Sequence, residues 1–353
     1  MKKLLVTMGG MLILFGIVSG GCSGQEPAEV SVISEEVSWK IDDTTVYATI
    51  TRPDTGKNRP AVVFIPGSGP TDRDWNSPLL PGKNGSAALL AERLAAEGYV
   101  TLRYDKRFAG THAAENTPLL FGKISMQGHL DELSGAVNLL AGKNYVDGRR
   151  IFALANSEGT IHAVNYQMQE AGPGFAGMIL TGAPGRTTGD LAHSQIKAQL
   201  AGYPGAEAVM KLYDEAVAGF LADGVMTPDE SLPEGIKVFL QSLALPVNMP
   251  FTQELWMADI APDLKEIDVP VLIIIGRKDI QVDWEVDGGK LKEAAAGKQN
   301  IEFVFPENAN HVLKHEPGPK EEINLTAPNY NGADTVLDED TLSTITGWLK
   351  DHS

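Results

Sequence analysis

The chain has 353 residues, of which 43% are hydrophobic, and a formal net charge of −17. This length is enough for one large α/β domain with an insertion, or for two small domains. The acidic balance argues against nucleic acid as a partner and against docking on anionic lipid through a basic patch. The sequence carries no signal for an oligomeric state.

The N-terminus is typical of an export signal. Two lysines precede an apolar run at 4–18 that is short for a membrane span, and small residues then lead to Cys22, the only cysteine. A lone cysteine after small residues resembles a bacterial lipobox, so we predict a signal peptide at 1–21, lipidation of Cys22 and a tether at 22–30. Secretion of a soluble chain is the alternative, since Ser19 stands where a lipobox usually has leucine. Either way the chain is predicted to be extracytoplasmic, without disulfides, and to touch a membrane only through a lipid anchor.

Strands and helices alternate through the first half of the chain. The pattern predicts an N-terminal β-hairpin and then a mostly parallel sheet with helices on both faces. The predicted strands are 30–39, 44–51, 61–65, 99–104, 151–155 and 175–181, and the predicted helices are 86–97, 125–141 and 161–170.

The alternation stops between 187 and 263, where no strand pattern is visible. We interpret this stretch as a helical cap inserted before the last two strands of an α/β core that spans 31–186 and 264–353. A separate helical domain of unrelated function is the alternative. The predicted cap helices are 191–200, 206–221, 236–243 and 252–260, and their apolar residues, such as Met210, Leu212, Phe220, Phe251 and Trp256, are more typical of packing than of a pocket. After the cap we predict strands at 269–276 and 301–305 and helices at 285–296 and 341–350.

The stretch Ile-Phe-Ala-Leu-Ala-Asn-Ser-Glu-Gly-Thr at 151–160 reads as a buried strand, a tight turn and the start of a helix. A serine at the apex of such a turn is the arrangement of a nucleophile elbow, usually written G-x-S-x-G. Ser157 is therefore the candidate nucleophile, although Ala155 replaces the first glycine. A surface turn with a capping serine is the alternative.

An activated serine requires a base, and on this fold the order is serine, acid, histidine. His311 follows the last predicted strand, at the sheet edge where Ser157 also lies, and is the candidate base. His315 lies further into the same loop and is its alternative. The remaining histidines lie away from that edge, in helices or in the tail: His112, His129, His162, His193 and His352.

The orienting acid is expected after the penultimate strand. Asp279 stands there, and we predict that it accepts the ring N–H of His311 and stabilises the imidazolium. Asp283 and Asp287 follow in the same segment as alternatives, and a turn or helix-capping role for Asp279 stays open.

The loop after the first buried strand, 66–70, reads Pro-Gly-Ser-Gly-Pro and occupies the position of an oxyanion hole. We predict that the backbone N–H groups of Ser68 and Glu158 are the two donors. The charged residues 72–74 crowd the same rim, and we interpret them as a brace that ties this loop to Arg107.

The side chain of Glu158 stands beside the candidate nucleophile and permits two interpretations. It is either turned away and paired, or it binds a cationic group of the substrate such as a free amine. The second interpretation favours an aminopeptidase.

These pieces, in this order, resemble an α/β-hydrolase from about Ser31 to Trp348. More narrowly, they resemble bacterial esterases of the serine-aminopeptidase-like and dienelactone-hydrolase-like branches. The resemblance is carried by the segments 66–74 (PGSGPTDRD), 102–107 (LRYDKR), 156–159 (NSEG), 276–282 (GRKDIQV) and 310–311 (NH).

The resemblance implies a Ser157–His311–Asp279 triad and hydrolysis of small-molecule carboxylic esters through an acyl-enzyme, with no cofactor and no metal. Besides Ala155, the chain departs from the family at Pro66, where histidine is usual, and at Phe108, where glycine is frequent, and these departures bear on substrate fit. A peptidase or amidase with the same triad is the alternative, followed by a non-catalytic binding lipoprotein on the same fold.

Overall fold

A computed structural model of the protein describes residues 30–169, 172–327, 330–332 and 334–353. The predicted signal peptide, Cys22 and most of the predicted tether lie outside the described residues. Within the described part, no helix is both long enough and apolar enough to cross a membrane.

The centre of the fold is an eight-stranded sheet in the order β1-β2-β4-β3-β5-β6-β7-β8. The strands are β1 (Val32–Ile41), β2 (Thr44–Pro53), β3 (Arg59–Ile65), β4 (Val100–Tyr104), β5 (Val146–Asn156), β6 (Gly177–Thr181), β7 (Val271–Ile274) and β8 (Ile301–Val304). β1 pairs with β2 and β2 with β4 in antiparallel register, whereas all other neighbours are parallel. The predicted hairpin and mostly parallel α/β sheet are therefore confirmed.

Helices cover both faces of the sheet, as predicted. They are α1 (Ser86–Ala96), α2 (Ala113–Leu120), α3 (Met126–Ala141), α4 (Glu158–Gln169), α5 (Thr188–Gln199), α6 (Ala206–Asp223), α7 (Glu234–Leu243), α8 (Phe251–Trp256), α9 (Val286–Ala294) and α10 (Glu339–His352). α2 was not predicted from the sequence, because it contains Pro118 and buries only Asn116 and Leu120. A helix with so few buried residues has no apolar periodicity to detect.

The two faces of the sheet carry separate apolar cores. On one face, Leu90 and Leu94 of α1 and Trp348 of α10 pack against Phe64 and Phe152. On the other face, α3, α4 and α9 cover alternate residues of the same strands. Because both faces are buried, β3, β5, β6 and β7 contain continuous apolar runs, which is why they were visible in the sequence.

The helices α5 to α7 pack around an apolar cluster of their own, which includes Met210, Tyr213 and Phe220. Trp256 of α8 belongs to this cluster, whereas Phe251 of the same helix belongs to the larger core of the sheet. α8 thus joins the inserted helices to the α/β core, and these aromatic residues pack as the sequence predicts. The exact bounds of the cap stay a prediction.

Candidate active site

Ser157 stands alone between β5, which ends at Asn156, and α4, which begins at Glu158. Its φ angle is 55°, in the left-handed region that non-glycine residues rarely adopt. Its backbone N–H donates to the carbonyl of Thr181 at 2.9 Å, and the residue is half-buried. A strained, over-determined backbone of this kind is characteristic of functional sites, and here it has the form predicted for a nucleophile elbow.

Two glycines allow the chain to pass close to this turn. A Cβ on Gly159 would lie 2.5 Å from the carbonyl oxygen of Ile65, so only glycine lets α4 approach the end of β3. A Cβ on Gly67 would lie 3.2 Å from the Cβ of Ser157. The loop after β3 therefore crosses directly over the serine, where the sequence predicts it.

His311 and Asp279 are hydrogen-bonded to each other and buried. The Nδ1 atom of His311 lies 2.7 Å from Oδ2 of Asp279, and the other oxygen of Asp279 accepts the backbone N–H groups of Gln281 and Val282 at 2.7 and 2.9 Å. A carboxylate can only accept, so Nδ1 carries the proton and Nε2 is the ring nitrogen with a free lone pair.

The backbone of His311 is tied to the residue that precedes the serine. Nδ2 of Asn156 donates to the carbonyl of His311 at 3.0 Å and to Oγ1 of Thr181 at 3.1 Å. A Cβ on Gly182 would lie 2.9 Å from Cε1 of His311, so the imidazole lies against the strand end that also binds the N–H of Ser157. The structure thus brings His311 and Asp279 to the elbow. Asn156 belongs to the sequence motif at 156–159, but the sequence alone gives no indication of this contact.

The rival candidates have other partners. His315 is half-exposed and bonds to Asp338, which caps α10. Asp287 is fully buried but binds the guanidinium of Arg186, and Asp283 caps the N–H groups at the start of α9.

The two predicted oxyanion donors flank the serine from different segments. Glu158 is the first residue of α4, so its N–H has no acceptor within the helix. Ser68 follows Gly67 in the loop that crosses the elbow, and it is exposed. Their roles as donors stay a prediction.

Comparison with known proteins gives the family. The model of the alpha/beta hydrolase family matches residues 62–324, which is well over half of the chain. The chain belongs to the alpha/beta hydrolase family. The resemblance stated from the sequence is thereby confirmed.

The relatives of this alpha/beta hydrolase include the esterase EstD of Thermotoga maritima, which is 25% identical over 281 residues. That match covers 78% of this chain but only 60% of the relative, so the chain spans less than two thirds of the relative's length. Among solved structures, an esterase from Pyrococcus furiosus is 18% identical, with 91% of each chain covered and a TM-score of 0.54. A candidate dienelactone hydrolase from Klebsiella pneumoniae is 14% identical, with 91% of this chain and 99% of that chain covered and a TM-score of 0.52. At such identities the two structures support the fold alone.

The Glu158 side chain of the hydrolase is turned into the protein and paired. Its Oε1 accepts from Nζ of Lys106 at 2.6 Å and from Nε2 of His162 at 3.1 Å. Burial alone would raise the pKa of Glu158, but the Lys106 ammonium and the hydrogen bond from His162 hold it well below its usual range. The interpretation of Glu158 as turned away and paired is confirmed, and the carboxylate has no free path to a substrate amine.

A second buried ion pair lies beside the first. Glu132 accepts from Nε of Arg107 at 2.8 Å and lies 3.1 Å from Nδ1 of His129. Burial raises the pKa of Glu132, but His129 and Arg107 together lower it to about 2. Each histidine lies on the same helix as its carboxylate, whereas Lys106 and Arg107 come from the segment after β4, which the sequence does not connect to either helix.

The predicted link between the 72–74 rim and Arg107 is wrong. Nε and Nη2 of Arg73 both donate to Oδ2 of Asp105, and Asp74 pairs with Arg103. Arg103 and Asp105 are two residues apart, so their side chains leave the chain on the same face, whereas Arg107 lies past the end of the strand and turns inward to Glu132. The 72–74 rim is therefore held by ion pairs, but its partners lie at the end of β4 and not at Arg107.

One group in the described part of the hydrolase has the composition of a metal site. His129, Glu158 and His162 each offer a ligand atom within 4.8 Å of the others. However, the Glu158 carboxylate already neutralises the Lys106 ammonium, and a divalent cation would add uncompensated buried charge. We therefore interpret this group as part of the buried ion network.

Proposed function

We propose that the protein hydrolyses carboxylic esters of small molecules through an acyl-enzyme on Ser157. The observation that carries this proposal is the 2.7 Å bond between His311 and Asp279, next to a serine held at a φ angle of 55°. The relative named as an esterase supports the same chemistry, although this chain matches only part of it.

In the proposed mechanism Ser157 Oγ attacks the acyl carbonyl while Nε2 of His311 takes its proton. Asp279 keeps the proton on Nδ1 and stabilises the imidazolium. The N–H groups of Glu158 and Ser68 bind the oxyanion, each donor contributing about 3 kcal/mol to the barrier reduction. His311 then protonates the leaving alcohol. In the second half of the reaction, a water molecule that is deprotonated by His311 attacks the acyl carbonyl and hydrolyses the acyl-enzyme.

Esters are favoured over amine-bearing peptides by the pairing of Glu158. A carboxylate that is to bind a free amine must be open to the substrate, whereas this carboxylate is buried and one of its oxygens binds both Lys106 and His162. A peptidase of the aminopeptidase type would require another anionic group at the site.

The test combines a fluorophosphonate probe with a series of p-nitrophenyl esters of increasing acyl length. We expect covalent labelling and ester hydrolysis, both lost in Ser157→Ala, and no release of aminoacyl anilides. Labelling of Ser157→Ala, or absence of any labelling of the natural chain, would contradict the proposal.

Two histidine variants provide a matched control. His311→Gln should lose ester hydrolysis, because the base is removed. His315→Gln should retain it, because that ring lies in the same loop but pairs with Asp338. The opposite result would assign the base to His315.

A further inference from the structure

Lys106 lies beneath the two predicted oxyanion donors and is only 1% exposed. Its Nζ atom donates to Oε1 of Glu158 at 2.6 Å and to the carbonyl oxygen of Gly69 at 3.3 Å. Glu158 supplies one predicted oxyanion N–H, and Gly69 directly follows Ser68, which supplies the other. One ammonium group therefore holds both segments of the predicted oxyanion hole.

We propose that Lys106 is a positioning residue that sets the spacing of the two oxyanion donors. The inference rests on the proposed ester hydrolysis and adds a component to it. Lys106 touches no reacting atom in this proposal and acts through the backbone on which the donors lie.

The surroundings of Lys106 fix the position of its ammonium group. The Glu158 oxygen that Lys106 binds is also bound by His162, and the Phe108 ring centroid lies 5.8 Å from Nζ, within cation–π reach. A lysine side chain is flexible when free, so these contacts turn it into a rigid spacer.

The loop that carries Ser68 depends on its hydrogen bond to Lys106 for a fixed position. Ser68 is exposed, and Gly69 has a φ angle of 72°, so this stretch has little packing of its own. Within the loop, Thr71 bonds back to the carbonyls of Ser68 and Gly69 at 2.7 and 2.8 Å, which makes it a compact turn. The Lys106 bond to Gly69 connects that turn to the elbow.

Stability alone gives no reason for this arrangement. A buried ion pair is often no more stabilising than well-packed apolar residues of the same volume. Oxyanion donors, by contrast, must lie about 2.7–3.1 Å from the developing oxyanion, and removal of one donor reduces kcat by about 10²–10³-fold. A loop displacement that keeps the donor but moves it should therefore reduce kcat by a smaller factor.

The test uses the double variant Lys106→Met/Glu158→Gln, which removes both charges together and leaves no unpaired buried ion. Reactive sites are first counted with the fluorophosphonate probe, and kcat and KM for a p-nitrophenyl ester are then expressed per reactive site. We expect kcat per site to fall about 10–100-fold with KM changed less than about threefold. A trifluoromethyl ketone, which forms an oxyanion on Ser157, should bind more weakly by the same factor as kcat/KM falls.

The matched control is Arg107→Met/Glu132→Gln, which removes the neighbouring buried pair and leaves Gly69 and Glu158 unchanged. Its kcat per reactive site should stay within about threefold of the natural chain. If the Lys106 double variant lost reactive sites but kept kcat per site and ketone affinity, Lys106 would be merely structural and the inference overturned.

A single variant covers the case in which the double variant does not fold. Lys106→Arg keeps a cation on Glu158 but changes the length and shape of the spacer, so kcat per site should still fall at least about fivefold, and an unchanged kcat would overturn the inference. Failure of the proposed function is distinguishable, because the natural chain would then be neither labelled nor active.

Discussion

The two sides of Ser157 are held by different kinds of interaction. On the elbow side, two buried ion pairs, Lys106–Glu158 and Arg107–Glu132, each have a histidine attached, and the centroids of the two histidine rings lie 4.8 Å apart. On the histidine side, Asp279 is held by backbone N–H groups and one imidazole, and the loop is fixed by neutral amides such as Asn156.

Because of this difference, we expect substitutions on the two sides to affect different properties, stability on one side and catalysis on the other. Removal of one member of a buried ion pair leaves an uncompensated charge and destabilises the fold. Substitution of Asp279 leaves no unpaired buried cation behind, because its partners are backbone N–H groups and the His311 ring. We therefore expect the elbow side to dominate stability and the histidine side to dominate catalysis.

The largest effect is expected for Asp279→Asn. The shape is kept, but an amide favours the wrong tautomer of His311 and does not stabilise its imidazolium, so kcat should fall about 10³–10⁴-fold. The free energy of unfolding should change by less than about 2 kcal/mol. Steady-state kinetics measure kcat, and urea denaturation measures the free energy of unfolding. A variant that kept its kcat but lost most of its stability would contradict the comparison.

Next in size is Glu132→Ala, on the elbow side. The Arg107 guanidinium is left buried without its partner, so the free energy of unfolding should decrease by about 3–5 kcal/mol. Glu115→Gln is the control, because Glu115 pairs with His112 at an exposed site, where such a pair is worth at most about 1 kcal/mol. Equal losses in the two variants, measured by denaturant midpoint and slope, would contradict the ion-network interpretation.

The acid sensitivity of the elbow side should be of intermediate size. Burial lowers the pKa of His162 to about 4 against the opposing effect of its hydrogen bond to Glu158, with His129 and Lys106 nearby adding to the lowering. The unfolded chain, with an ordinary histidine pKa near 6.5, then binds more protons between pH 6.5 and 4, so stability falls as the pH drops through that window, by at most about 3 kcal/mol.

His162→Gln provides the check on this window. It should flatten the decline in unfolding free energy between pH 6.5 and 4, while the losses due to Glu158 and Glu132 appear only at lower pH, because their pKa values are depressed. A slope unchanged by the substitution would show that another group titrates there.

The smallest effect is expected for Asn156→Ala. It removes the hydrogen bonds to the carbonyl of His311 and to Thr181, so stability should decrease by about 1–2 kcal/mol and kcat by about tenfold. Thr181→Val removes a hydroxyl from the same cluster without a bond to His311, and should lower stability but retain kcat. If both variants changed kcat equally, the hydrogen bond from Asn156 would not be what positions His311.

The sequence alone determined the order of strands and helices and the position of the serine within it. These features are local: the apolar runs of β3, β5, β6 and β7 reflect burial on both faces, and the elbow requires a small residue two positions after Ser157, where Gly159 stands. The sequence also indicated that Asp279 and His311 lie near each other, because the carboxyl ends of parallel strands meet at one edge of the sheet.

Only the tertiary structure decided which charge pairs with which. Lys106 and Arg107 are adjacent in sequence, yet one reaches Glu158 and the other Glu132, and the predicted contact of Arg107 with the rim does not form. Asn156 likewise contacts His311, which lies 155 residues away in the sequence. Such pairings depend on the angle at which whole elements pack, and no local pattern of residue types encodes that angle.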